Sequence, residues 1–421
     1  MDKQYTTKYA EHGRNKLNEY RKISIFYIVI MGLYQLTDKM YGSGFVALMN
    51  SGGLTATQIG LIISLQGLAL VIFEYPSGNI ADIKGRKKVG SLGLLLWGVS
   101  LITFAVSTSF LTFVLSTTLM ALAMALISGS HFSWYIDELI RLQKYEDRNR
   151  ILPWNRGLIM SFSIIGALMA SYLMGFNIKL PMMIAGIISI ICAIVSFVMF
   201  HDNYGSQDKI KFFERINLNT VNFVKDRAML IVVIKNILYS LGFYIFIVYW
   251  QLYAVNDLHL KYSLLGIIML VMTIILTLSN FIVSYLSRFI GLYSLTVIGG
   301  ILVIAGFVIL SFQGNFLLFI TGIIVLELGI GMDAASMGSW LQDHIHSDNR
   351  SSYNAAISSL SSLSSIVMPL AAGFIADHSS STFIWLAAGL CSTVSLIFLM
   401  LSLPFLRAHQ PKEYPSGHGV S

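Results

Sequence analysis

Twelve apolar runs follow one another along this chain, near residues 23–49, 58–81, 89–110, 112–138, 157–177, 180–200, 228–255, 262–286, 292–312, 315–341, 353–375 and 382–403. Each is roughly 20 residues or longer, the length a helix needs to cross a bilayer core. Of the 421 residues, 55% are hydrophobic and 12% charged, which leaves a water-soluble domain too little polar surface. The expected fold class is an all-α integral membrane protein with twelve transmembrane helices. The longest polar interruption, His201 to Arg227, divides the runs six and six. The expected organisation is a tail at 1–22, a six-helix bundle at 23–200, a central loop at 201–227, a second bundle at 228–403 and a tail at 404–421.

A net charge of +7 invites a nucleic-acid reading, but the cations sort by side. With the N-terminus in the cytoplasm, 24 of the 28 Lys and Arg residues fall on the cytoplasmic face. Only Lys179 and Lys261 fall opposite, while Lys39 and Lys235 lie inside runs. That distribution obeys the positive-inside rule, so both termini are expected in the cytoplasm and no nucleic-acid partner is implied. Lys209 to Arg215 in the central loop suits an amphipathic segment on the membrane face. Cys192 and Cys391 both sit in apolar runs, which argues against a disulfide framework and against a metal site. A polar stretch of 22 residues precedes the first spanning run, so that run is expected to be an uncleaved anchor.

Between the second and third runs lies Glu74-Tyr75-Pro76-Ser77-Gly78-Asn79-Ile80-Ala81-Asp82-Ile83-Lys84-Gly85-Arg86-Lys87-Lys88. The turn is so short that its flanking helices must be antiparallel neighbours. Gly85 lets the backbone turn, Asp82 can face a helix N-terminus, and Arg86 is left to find a carboxylate on another helix. The stretch resembles the signature loop of the major facilitator superfamily (MFS) of secondary transporters, Gly-x-Leu-Ala-Asp-Arg-x-Gly-Arg-Lys. Gly78, Ile80, Ala81, Asp82, Gly85, Arg86 and Lys87 carry the match, while Ile83 stands where the family has a cation and Lys84 comes one place late.

The resemblance implies two pseudo-symmetric bundles with helices one, four, seven and ten around a central cavity. It also implies that Arg86 pairs with Asp137 and that Asp82 faces the start of run eleven near Arg350–Tyr353, together locking the cytoplasmic side. Glu74 belongs to a Glu-x-Pro-Ser/Thr-Gly run, and its expected role is to stabilise a helix break at Pro76. Pro76 and Pro369 are read as the intramembrane prolines, and Ser358–Ser365 as a smooth packing face on run eleven. Internal echoes support a repeat: Ser133-Trp134-Tyr135-Ile136-Asp137 against Ser339-Trp340-Leu341-Gln342-Asp343, and a worn copy of the signature loop at Ser284–Gly291.

An ionisable group inside a membrane helix is costly unless paired or wetted, so each is a functional candidate. Asp38 and Lys39 lie in run one, Glu74 in two, His131 in four, Lys235 in seven, and Glu327 and Asp333 in ten. Glu327 lies about 12 residues into its run, near the midplane at roughly 18 Å depth. Asp38, Glu327, Asp333, His131 and Lys39 are the expected proton-coupling or substrate groups, with Asp38 and Glu327 foremost. Asp38 and Lys39 point about 100° apart and need not pair. Lys235 is expected to snorkel to the interface. Run seven carries Phe243, Tyr244, Phe246, Tyr249, Trp250 and Tyr253, a surface for flat lipophilic or cationic substrates, with Tyr244 and Trp250 as candidate contacts, or else an interfacial aromatic belt.

No phosphate-binding loop, HExxH or nucleophile elbow is present, so neither an enzyme nor an ATP-driven pump is expected, and no cofactor. Size, spans and signature loop resemble the bacterial drug:proton antiporter branch. The branch's Gly-Pro-x-x-Gly-Gly motif is missing, since Gly157 to Gly175 contains no proline, and so is its arginine in run four. The expected function is proton-coupled efflux of amphipathic small molecules from a monomer in the bacterial cytoplasmic membrane. Uptake of a small solute by symport, and a non-transporting receptor or assembly factor, are the alternatives.

Overall fold

The computed structural model describes residues 3–204, 227–312, 314–342 and 350–408. The chain is helical: α1 (Lys3–Gly42), α2 (Phe45–Ser51), α3 (Ala56–Lys84), α4 (Arg86–Val106), α5 (Phe110–Arg141), α6 (Arg148–Met174), α7 (Leu180–Met199), α8 (Arg227–Leu252), α9 (Tyr262–Leu286), α10 (Leu292–Ser311), α11 (Phe316–Gln342), α12 (Arg350–His378) and α13 (Ser381–Ala408). All but α2 are 20 residues or longer, and among the described residues ten are long and apolar enough to cross a membrane. The other two long helices are α1, which carries the polar N-terminal tail, and the serine-rich α12.

Local chemistry explains the boundaries. Run one is not continuous: α1 stops at Gly42, and α2 begins at Phe45. Two glycines weaken the helix there, the Ser43 hydroxyl turns back to the Lys39 carbonyl at 2.7 Å, and Met174 presses on the backbone of Gly44. Helix α5 starts with a reciprocal Ser109–Thr112 capping box. Pro76 does not break α3, which runs through it. The Ser77 hydroxyl donates to the Glu74 carbonyl at 2.8 Å, so Glu74 contributes its backbone there while its side chain is exposed. Helix α6 begins earlier than run five and takes in Pro153 near its start, a proline the expected span left out.

Two compact units emerge. One holds residues 1–54, 65–208 and 261–270; the other holds 55–64, 209–260 and 271–421. In the first, α4 packs on α5 and α7, and α1 on α6 and α7. In the second, the same pattern recurs six long helices later: α10 packs on α11 and α13, and α8 on α12 and α13. The sequence echoes thus have a structural counterpart, an internal repeat of helix pairings.

Candidate functional site

The signature turn forms a dense polar knot in the first unit. Gly85 caps α4 with φ +100°, a left-handed value that favours glycine. This orientation sends Arg86 back toward α3 and across to α5. Its guanidinium holds Asp82 at 3.0 Å, donates to the Ser133 carbonyl at 3.0 Å and pairs with Asp137. Lys87 lies over the Phe197 ring at 5.0 Å. The pairing of Arg86 with Asp137 is the one the resemblance implied. The side chains of Arg350–Tyr353, expected opposite Asp82, lie outside the described residues, as do Lys209–Arg215.

A strap missed in the sequence completes this knot. After α7, His201–Tyr204 passes beneath the turn. The Asn203 carbonyl accepts from the Arg86 N–H at 3.0 Å, and Asp202 lies against Gly85 while pairing with Lys88 at 3.4 Å. Trp134 anchors the strap by donating to the His201 carbonyl at 2.7 Å and stacking on Phe200 at 4.1 Å. The carboxylate of Asp202 at the start of α4 suits the positive end of that helix. Asp202-Asn203 just beyond an apolar run was the available signal, one that also fits any solvated loop.

Elsewhere in this unit, Asp38 and Lys39 meet at 3.6 Å, each about one-third exposed, a pairing that adjacency on a helix left open. Tyr34 and Tyr41, a turn to either side, lie within the electrostatic reach of Asp38. His131 is 2% exposed, hydrogen-bonded to Ser196 at 3.4 Å and wedged against Gly90, where a Cβ would meet its ring at 2.6 Å. This is packing between α4, α5 and α7. A second buried network, unforeseen in the sequence, joins Ser24, Tyr135 and Asn155 through two 2.8 Å hydrogen bonds, with Tyr27 stacked on Tyr135 at 4.2 Å.

The second unit holds a buried charged cluster. Lys235 on α8 does not snorkel; it is 3% exposed and donates to both oxygens of Asp333 on α11 at 3.1 Å. Its ammonium lies 4.8 Å from the Tyr239 ring centre, one helical turn along. Both Asp333 and Glu327 act electrostatically on Tyr239, and Glu327 is 7% exposed. A void of about 10 Å³, the scale of one water, adjoins Lys235, Tyr239 and Asp333. Lys235 lies about eight residues into α8 and Asp333 about nine from the end of α11, so matched depth was the signal that could have paired them.

Four of the six aromatic residues of run seven are buried inside the second unit. Trp250 is 2% exposed, and Phe246, Tyr249 and Tyr253 gather around the buried Trp385 of α13. Only Phe243 and Tyr244 stay half-buried, and the Tyr244 hydroxyl bonds to Ser365. The apolar character of Trp385 and its neighbours draws these rings inward.

The Major Facilitator Superfamily model matches residues 27–236 and again 232–419. An uncharacterized MFS-type transporter of Methanocaldococcus jannaschii is 24% identical over 360 residues, covering 80% of this chain and 88% of that protein. Quinolone resistance protein NorA of Staphylococcus aureus is 23% identical over 207 residues, about half of each, 49% of this chain and 52% of NorA. The crystal structure of the nucleoside transporter NupG superposes with a TM-score of 0.78 at 15% identity, covering 93% of this chain and 100% of that one. Two family repeats, one per six helices, and a matching fold along nearly the whole chain identify this protein as a membrane transporter that belongs to the Major Facilitator Superfamily.

Proposed function

We propose that the chain is a proton-coupled exporter of amphipathic small molecules, working by alternating access as a monomer in the bacterial cytoplasmic membrane with both termini inside. The observation that carries this reading is Glu327, 7% exposed on a spanning helix, sharing Tyr239 with the Lys235–Asp333 pair. A carboxylate so far from water and so close to other ionisable groups binds a proton or a cation as its surroundings change. Asp38, half-buried beside Tyr34 and Tyr41 in the first unit, is the second candidate. The knot of Asp82, Arg86 and Asp137 serves the conformational cycle rather than the substrate. The partial likeness to NorA, named for quinolone resistance, favours export of lipophilic or cationic compounds.

The test is proton-gradient-dependent efflux of a panel of lipophilic cationic dyes from cells expressing the protein. Wild type is expected to export at least one dye, and Asp38→Asn or Glu327→Gln to lose that export at normal expression. No efflux of any dye by wild type would overturn export and leave uptake of a narrow solute.

A further inference from the structure

At its N-terminus, α3 has four N–H groups that no preceding turn can satisfy. All four find partners, and two of those come from far along the chain. Thr55 donates to the Gln58 side-chain carbonyl at 3.0 Å and Gln58 to the Thr55 hydroxyl at 3.3 Å, both local. Ala56 and Thr57 instead donate to the two carboxylate oxygens of Asp377, at 2.9 and 2.7 Å. Asp377 lies at the end of α12, beyond the apolar run of that helix. A carboxylate spanning two free N–H groups at a positive helix end is a strong, directional joint.

Below this joint the two helices touch backbone to backbone within the second unit. A Cβ on Gly60 would stand 2.2 Å from the Pro369 carbonyl oxygen, and one on Gly373 would stand 2.2 Å from that of Ala56. Leu370 donates to the Ser64 hydroxyl at 3.1 Å, just past Pro369, and the Thr57 hydroxyl reaches the Gly373 carbonyl at 3.4 Å. The seam therefore combines small residues with polar bonds, which water can replace when helices part. The first unit has an equally close glycine seam between α6 and α9. There a Cβ on Gly266 would meet the Ser171 nitrogen at 2.4 Å, and Ser171 donates to the Ser263 carbonyl at 2.8 Å. The Ser171 bond is neutral, whereas the α3–α12 seam is closed by a charge.

We propose that Asp377 is a latch: it holds the start of α3 on α12 in this conformation and releases it during the transport cycle. The inference rests on the alternating-access reading above. Asp377 touches no substrate; it is a positioning residue, and water is the competitor for its two bonds once the helices move apart.

Hydrogen–deuterium exchange on the purified full-length chain in nanodiscs tests this without any substrate. In Asp377→Asn, peptides covering Thr55–Ser64 and Pro369–His378 are expected to exchange at least tenfold faster than in wild type, with the rest of the chain unchanged. Asp377→Glu, which keeps the charge, is expected to restore slow exchange. Gly373→Ala pushes the seam apart without touching the carboxylate and should give the same acceleration. Unchanged exchange in Asp377→Asn, or acceleration confined to Ala56 and Thr57, would overturn the latch and leave a static cap. Because no dye enters this assay, a failed latch leaves the efflux reading standing, and failed efflux leaves the exchange result standing.

Discussion

Lys235 donates to both carboxylate oxygens of Asp333 at 3.1 Å, across two helices and away from water. Opposite charges buried this far are stable only together, because each alone has lost its hydration. Lys235→Met should therefore destabilise the protein by about 3–5 kcal/mol, the range for removing one partner of a buried pair. Lys235→Met combined with Asp333→Leu should recover most of that loss. Thermal unfolding in detergent, followed by tryptophan fluorescence, reads both. A double variant no more stable than the single one would mean that the pair is not a compensated unit.

Arg86 ties α3, α4 and α5 together through Asp82, the Ser133 carbonyl and Asp137. Arg86→Ala or Asp82→Asn should abolish transport while membrane insertion stays normal. Surface expression and dye efflux measured on the same cells separate the two effects, and normal efflux by both variants would remove the gating role.

Gly85 is constrained twice over. Its φ of +100° is strained for any residue with a side chain, and a Cβ there would stand 2.3 Å from the Asp202 carboxylate. Gly85→Ala should lower both stability and transport. Adding Asp202→Ala should recover only part of the stability, since the backbone strain persists. Full recovery would assign the whole effect to the clash.

Asp377 also has a pH signature. Burial acts to raise its carboxyl pKa, but the bonds from Thr57, Thr55 and Ala56 outweigh it and hold the carboxyl below its ordinary value of 3.8. A group whose pKa is lower folded than unfolded contributes stability above the unfolded value and loses it as pH falls through the folded one. Wild-type stability should thus drop more steeply below about pH 3.8 than that of Asp377→Asn. Parallel acid-unfolding curves for the two proteins would contradict this.

Much of the fold was legible along the chain. Hydropathy located the long helices, and the short turn at Gly85 made α3 and α4 neighbours. The echo around Trp134 and Trp340 anticipated two matching sets of helix pairings. The partner of Arg86 followed from the signature loop, because its reach is set within a few residues of a fixed turn. The break in run one was written in Gly42 and Gly44 but masked by the apolar residues around them.

The site was less legible. Lys235 read as an interfacial lysine, the aromatic residues of run seven as either a surface or a belt, and Asp38 and Lys39 as neighbours that need not pair. Asp377 and Asp202 drew no notice because both lie at the ends of apolar runs, where a carboxylate is ordinary. Span length, the order of helices and turn chemistry are properties of contiguous residues, so the sequence alone determined them. Which side chains meet depends on how far each helix is rotated, about 100° per residue, and on its depth beside its neighbours. Those two quantities are set only when helices distant in sequence pack, so the pairing of Lys235 with Asp333 and the capping of α3 by Asp377 were decided by the tertiary structure.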